Sequence, residues 1–258
     1  MKYVAHRVFR DGETFDGLDA SRLDGYHGVE LDIREDGHGG VCINHAPVFR
    51  RARADVDLSG RGLDDAVAVF AENCPSLEVL FLDVKTSAAA AILAERIVRR
   101  PLGYDSVFLC WHHAEIAAIR ARLPNALIFF CVAPIFAARA RTRSVYVTNA
   151  FPFVSRSTRF KPDGEKPNRH SINVQLIARR SPEVELPDAI DGVCVHRIFR
   201  SARLEQFIAA RGLMTAFYGL PSRGHPRTQA LAGLADYAII RKEKPQPATI
   251  GHSHERAA

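Results

Sequence analysis

Two histidines, three carboxylates, an arginine and a lysine stand where short apolar runs end in the first third of this chain. Val4-Ala5-His6-Arg7 closes the first run. Gly28-Val29-Glu30-Leu31-Asp32-Ile33 alternates two carboxylates with aliphatic residues. Val41-Cys42-Ile43-Asn44 leads into His45, and Leu80-Phe81-Leu82-Asp83-Val84-Lys85 ends another run with a carboxylate and a cation. Residues two apart on a strand share a face, so Glu30 and Asp32 point the same way, as do Asp83 and Lys85. Carboxylates crowded on one face repel one another unless a cation sits between them. Glu30, Asp32 and Asp83 therefore read as an all-oxygen site for a hard divalent ion, Mg²⁺ or Ca²⁺. Arg7 and Lys85 can hold phosphate oxygens, the first as a fork and the second as a point charge. His6 and His45 can divide the proton transfers between a base and an acid. Together the set suits cleavage of a phosphodiester with a metal ion.

Such residues need a frame that brings several strand ends to one place. Eight strand-like runs occur: Tyr3-His6, Val29-Ile33, Val79-Val84, Ser106-Cys110, Leu127-Cys131, Gly192-His196, Leu213-Tyr218 and Tyr237-Ile240. Helix-like stretches fall between them at Leu63-Asn73, Ser87-Arg100, His113-Leu123, Ala202-Arg211 and Arg227-Leu234. Alternating strands and helices in 258 residues predict an α/β fold, a TIM-type (β/α)₈ barrel of roughly 250 residues. The rhythm fails from 142 to 191, where Pro152, Pro162, Pro167, Pro182 and Pro187 fall. This region is expected to be an elaborated loop over the barrel mouth, with strand-like pieces at Val145-Thr148 and Ile172-Ile177. A single domain is expected over 1–243 and a disordered polar tail over 244–258.

The ordered set His6-Arg7, Glu30-x-Asp32, Asp36-Gly37, His45 and Asp83-x-Lys85 resembles the glycerophosphodiester phosphodiesterase family. That family is a group of metal-dependent (β/α) barrels in the phosphatidylinositol-phospholipase-C-like superfamily. The resemblance covers about the first 85 residues. It implies His6 and His45 as the catalytic pair, Glu30, Asp32 and Asp83 as metal ligands, and Arg7 and Lys85 as phosphate contacts. The chain departs from the family pattern at several points. Val8 stands where the family has glycine after His-Arg, and Asp11-Gly12-Glu13-Thr14 only approximates its Glu-Asn-Thr element. Asp83 stands where the third ligand is usually glutamate. The late tryptophan-bearing strand reads Met214-Thr215-Ala216-Phe217-Tyr218, and Arg241-Lys242 follows the last strand in place of a Thr-Asp pair. These departures predict a retained phosphate site and an altered alcohol pocket, with a bulkier phosphodiester preferred over simple glycerophosphodiesters.

Later residues add candidates for binding a small anionic substrate. His196-Arg197 follows an apolar run, and Phe217 and Tyr218 can stack on the alcohol moiety or pack within the barrel. Trp111-His112-His113 also follows a strand, as a substrate contact or a helix start. Arg156 and Arg159 in the loop region can meet a second anionic group. The net charge of +6 favours anionic partners. No zinc-finger or RNA-binding signature accompanies the basic clusters, so no specific nucleic-acid partner is expected. The five cysteines form no CxxC pair and read as buried reduced thiols. No apolar run approaches the ~20 residues of a membrane span, and no signal-peptide pattern opens the chain, so a cytoplasmic protein is expected. Two other functions fit the same residues: a transferase or lyase that joins or cyclises phosphodiesters, and a non-catalytic phosphoester-binding barrel.

Overall fold

Runs such as VLFLDV and LIFFCV are apolar on both strand faces. A strand of that kind is stable in a parallel sheet covered on both sides. The computed structural model describes residues 1–9, 15, 18–44, 62–132, 135–136, 145–146, 186–197 and 202–241. The strands in chain order are β1 (Lys2–His6), β2 (Gly28–Glu35), β3 (Val41–Ile43), β4 (Val79–Val84), β5 (Asp105–Cys110), β6 (Leu127–Val132), β7 (Ile135–Phe136), β8 (Val145–Tyr146), β9 (Gly192–His196), β10 (Met214–Leu220) and β11 (Tyr237–Arg241). Eight of them pair in parallel in the order β1-β11-β10-β9-β6-β5-β4-β2, and pairing of β1 with β2 closes the ring. The eight runs read from the sequence are these eight strands, and the fold is a (β/α)₈ barrel.

Alternation along the strands sorts the core into two shells. Inward residues, among them Val4, Val79, Phe81, Val107, Leu109, Phe129, Cys131, Ala216 and Ile239, fill the barrel. Outward residues such as Val29, Leu31, Leu80, Leu82, Phe108 and Phe130 pack under the helices. Three rings plug the interior edge to face: Phe81 lies 4.9 Å from Tyr237 and 6.1 Å from Phe129, and Phe129 lies 5.9 Å from Tyr237, between centroids. Gly192 makes room for this plug, since a Cβ there would come 2.6 Å from the Phe129 ring. The barrel is thus a packed core with a floor, and polar side chains are confined to the ends of its strands.

The helices are α1 (Leu63–Asn73), α2 (Ser87–Arg99), α3 (His113–Arg120), α4 (Ala202–Ala210) and α5 (Pro226–Gln229). Thr86 caps α2, its hydroxyl accepting the Ala89 N–H at 3.0 Å, and the buried alanines of α2 let it lie close on the sheet. The helix expected at Arg227-Leu234 is only the single turn α5; the chain then continues in turns, with Gly233 at φ 81°. Strand β10 runs two residues beyond Tyr218, because its pairing with β11 shifts register between Phe217 and Leu220 and the strand resumes after that irregularity. Within the region expected to form a loop over the mouth, Val145–Tyr146 pairs antiparallel with Ile135–Phe136. The piece Ile172-Ile177, the arginines Arg156 and Arg159, and the tail expected from 244 lie outside the described residues. Among the described residues no helix is long and apolar enough to cross a membrane.

Candidate active site

The C-terminal ends of β1, β2, β4 and β5 converge on one cluster. In β2, Glu30 and Asp32 point inward at successive levels, and Asp32 sits beside Asp83 of β4 in register. Ligand atoms of Glu30, Asp32 and Asp83 lie within 4.8 Å of one another. All three residues are buried, at 2%, 4% and 7% exposure. The i, i+2 spacing in β2 supplies two of these groups, and the parallel pairing of β4 with β2 supplies the third.

Three basic side chains border the carboxylates. Lys85 Nζ lies 2.5 Å from Asp32 Oδ1 and also pairs with Asp83 Oδ2. Arg7 Nε lies 3.6 Å from Asp32 Oδ2, and the Arg7 backbone N–H donates to Glu30 Oε2 at 3.1 Å. Arg7 has φ 53°, the left-handed region that non-glycine residues seldom enter. That turn brings its amide to Glu30 while the side chain stays near Asp32. His6 Nε2 lies 3.7 Å from Glu30 Oε2.

Crowding of the carboxylates shows in their titration. Burial raises the Glu30 carboxyl well above its usual range, and repulsion from Asp32 and then Asp83 adds to the rise. Burial likewise raises Asp83, although Lys85 opposes it. Lys85 itself is raised, because attraction to Asp83, Asp32 and Glu30 outweighs its own desolvation. Three carboxylates gathered this closely repel one another, and a cation held between them relieves that repulsion. Their all-oxygen donor set fits a hard divalent cation.

A second layer of contacts fixes Asp83. The Trp111 indole Nε1–H donates to Asp83 Oδ1 at 2.7 Å. The Trp111 backbone N–H in turn donates to Glu115 Oε2 at 2.6 Å, and the His112 N–H donates to the same oxygen at 3.0 Å. Glu115 is the N3 residue of a capping box that starts α3. It is 1% exposed, and burial pushes its carboxyl up to about 8 against those two hydrogen bonds. Trp111 therefore contacts the carboxylate cluster itself, where the sequence suggested a substrate contact or a helix start; the following histidine, His112, is the N-cap of α3. The signal for Glu115 is its place three residues after the N-cap.

Across the mouth, the His196 and Tyr218 rings meet edge to face, 5.0 Å between centroids. Arg197 Nε donates to the Gly219 carbonyl at 2.7 Å. Phe217 is not part of this group. It is fully buried in the outer shell under the helices, because adjacent strand residues face opposite ways and Tyr218 is the one turned inward. His45 lies outside the described residues; its chain neighbour Asn44 donates its N–H to the Asp32 carbonyl at 2.9 Å. The short hairpin of β2 and β3 makes that contact. Its turn is held by Asp36, whose Oδ1 accepts the His38 and Gly40 N–H groups at 2.7 and 2.9 Å.

The cluster lies at the C-terminal face of the barrel strands, where barrels of this architecture carry their sites. No family model matches the sequence, and no curated protein sequence matches it. Solved structures do match. A phosphodiesterase from Oleispira antarctica, solved with its product sn-glycerol-3-phosphate, is 14% identical with a TM-score of 0.59, over 93% of this chain and 92% of that one. A glycerophosphodiester phosphodiesterase from Parabacteroides distasonis is 10% identical with a TM-score of 0.56, over 93% and 92%. Another from Agrobacterium tumefaciens is 14% identical with a TM-score of 0.53, over 93% and 96%. The fold of this chain is the fold of glycerophosphodiester phosphodiesterases.

Proposed function

We propose that the protein is a divergent member of the glycerophosphodiester phosphodiesterase family, a metal-dependent phosphoric diester hydrolase that acts on a small glycerophosphodiester-like substrate. The observation that carries this reading is the meeting of Glu30, Asp32 and Asp83 at the mouth of a barrel with that fold. In this reading the three carboxylates hold Mg²⁺ or Ca²⁺. The ion, when bound, neutralises phosphate charge and polarises the scissile bond. Arg7 and Lys85 bind the non-bridging phosphate oxygens from the β1 and β4 sides. Lys85 turns from Asp32 and Asp83 towards the phosphate as the site fills.

His6 and His45 move the protons. One takes a proton from the attacking water as its oxygen bonds to phosphorus. The other gives a proton to the alkoxide that leaves as the second P–O bond breaks. His6 stands next to Glu30 at the rim, and His45 follows the Asn44–Asp32 backbone contact by one residue. Nearby Tyr218 and His196 form the wall met by the alcohol moiety.

Turnover of glycerophosphodiesters and bis-p-nitrophenyl phosphate in ¹⁸O-water tests the proposal. One ¹⁸O atom in the released phosphomonoester, with activity lost to EDTA and restored by Mg²⁺ or Ca²⁺, is the expected result. A cyclic phosphate without ¹⁸O would replace hydrolysis by internal attack. Absence of turnover with any divalent ion would leave a binding barrel.

A further inference from the structure

The β9–β11 side of the mouth carries positive charge that the proposed phosphate chemistry leaves unused. Strand β11 alternates strictly: Tyr237 and Ile239 lie in the barrel interior, and Ala238 and Ile240 lie in the outer shell. Arg241, the last residue of the strand, therefore falls on the inward side, at the rim, where it is exposed. Its register partner on β1 is His6, and the register partner of His6 on β2 is Glu30. Glu30, His6 and Arg241 thus stand side by side on three adjacent strands, the outer two about 10 Å apart at the backbone. A substrate whose phosphate sits over the carboxylates extends towards Arg241 with its next few bonds.

Arg197 follows β9, which β10 separates from β11. Its Nε donates to the Gly219 carbonyl, which fixes the guanidinium, and among the described residues no further partner holds its terminal nitrogens. Gly219 sits in the β10 irregularity at φ 78°, and a Cβ there would lie 2.4 Å from His196 Nε2. The missing side chain is what lets His196 occupy the rim between Tyr218 and Arg197. Burial, followed by repulsion from Arg197 and Arg241, holds the His196 imidazole below its ordinary value. Among the described residues no carboxylate pairs with either arginine.

We infer that Arg241 and Arg197 form a second anion subsite across the mouth from the carboxylate cluster, and that the preferred phosphodiester carries another negatively charged group on its alcohol side. The inference rests on the phosphodiester reading of the mouth. Arg197 supplies a fixed point of charge and Arg241 an adaptable one, so the subsite selects for charge more strongly than for shape.

Calorimetric titration of the full chain with saturating Ca²⁺ tests this without requiring turnover. The probes are sn-glycerol 3-phosphate, glycerol 1,3-bisphosphate and 3-phosphoglycerate. The two probes with a second anion should bind about 10–100-fold more tightly than the monophosphate, the gain expected from one charge-assisted contact. In Arg241→Gln that advantage should disappear, and in Arg241→Lys part of it should remain. Unchanged thermal unfolding of the variants keeps the result one of binding. Equal affinity of all three probes for the unmodified chain would overturn the subsite while leaving the phosphate site intact. An advantage that survives in Arg241→Gln would also overturn it. Absence of binding by sn-glycerol 3-phosphate would instead overturn the phosphodiester reading beneath it.

Discussion

The two sides of the barrel mouth are built on opposite charges and are braced to different extents. On the β2–β4 side, Glu30, Asp32 and Asp83 are buried, bridged by Lys85 and braced from β5 by the Trp111 indole. On the β9–β11 side, one hydrogen bond to Gly219 holds Arg197, and Arg241 lies exposed at the rim. A phosphate is common to every phosphodiester, so the side proposed to handle it needs fixed geometry. The groups attached to that phosphate differ among substrates, and an exposed cation can adapt to them. Under the proposed function, the contrast gives chemistry to the braced side and choice of substrate to the open one.

The largest expected effect tests whether the braced side holds a metal at all. Asp32→Asn removes one of the negative charges that surround the proposed ion. Calorimetry should show loss of Mg²⁺ and Ca²⁺ binding, and turnover should fall by about 10³-fold or more, the several kcal/mol that metal charge stabilisation supplies. Full turnover of the unmodified protein after exhaustive chelation would break the comparison at its root. Next in size is His6→Ala, expected to lower kcat by about 10²–10⁴-fold with metal affinity retained. A variant that turns over at the normal rate would remove His6 from the proton transfers.

The site was legible in the sequence where the physics is local. Glu30 and Asp32 betray themselves by strand alternation, and each barrel strand by an apolar run ending in polar residues. Contacts that depend on barrel closure were not. Asp83 and Trp111 are 28 residues apart; they meet because Asp83 pairs with Leu109 on β5 and Trp111 is the next inward residue. Arg241 stood out only as a departure at the end of a strand, and its alignment with His6 and Glu30 needs both sides of the ring. Phe217 and Tyr218 are adjacent in sequence but face opposite sides of the sheet, Phe217 under the helices and Tyr218 beside His196. The helix read at Arg227-Leu234 stops early despite its favourable composition, since the chain turns at Gly233 to enter β11.

A smaller effect sharpens the bracing argument. Trp111 is the sole tryptophan of the chain, so intrinsic fluorescence reports on Asp83 directly. Adding Ca²⁺ or Mg²⁺ should change that emission, as Asp83 takes a ligand and Lys85, 6.0 Å from the indole ring centroid, moves. Trp111→Phe keeps the ring and removes the N–H, and should weaken metal binding by about 10–100-fold, the usual range for a group that orients a ligand. Emission that ignores a metal shown by calorimetry to bind would place that metal away from Asp83.

The smallest effect concerns Glu115, which supports the braced side from behind by holding the Trp111 and His112 amides. Its carboxyl is raised by burial from the ordinary 4.5 to about 8. Between those two values the folded protein keeps a proton that the unfolded chain has released. The contribution of Glu115 to stability is therefore full below about pH 4.5 and is lost as pH rises through 8. Glu115→Gln can still accept both amides through its carbonyl and does not titrate. Urea unfolding at pH 5 and pH 7.5 should show stability falling less with pH in the variant than in the unmodified protein. Curves that stay parallel across this window would mean that Glu115 is ionised in the folded state, with its two amide hydrogen bonds offsetting the cost of burial. In that case the support behind Asp83 would itself be a fixed negative charge, and the contrast between the two sides of the mouth would extend one shell further out.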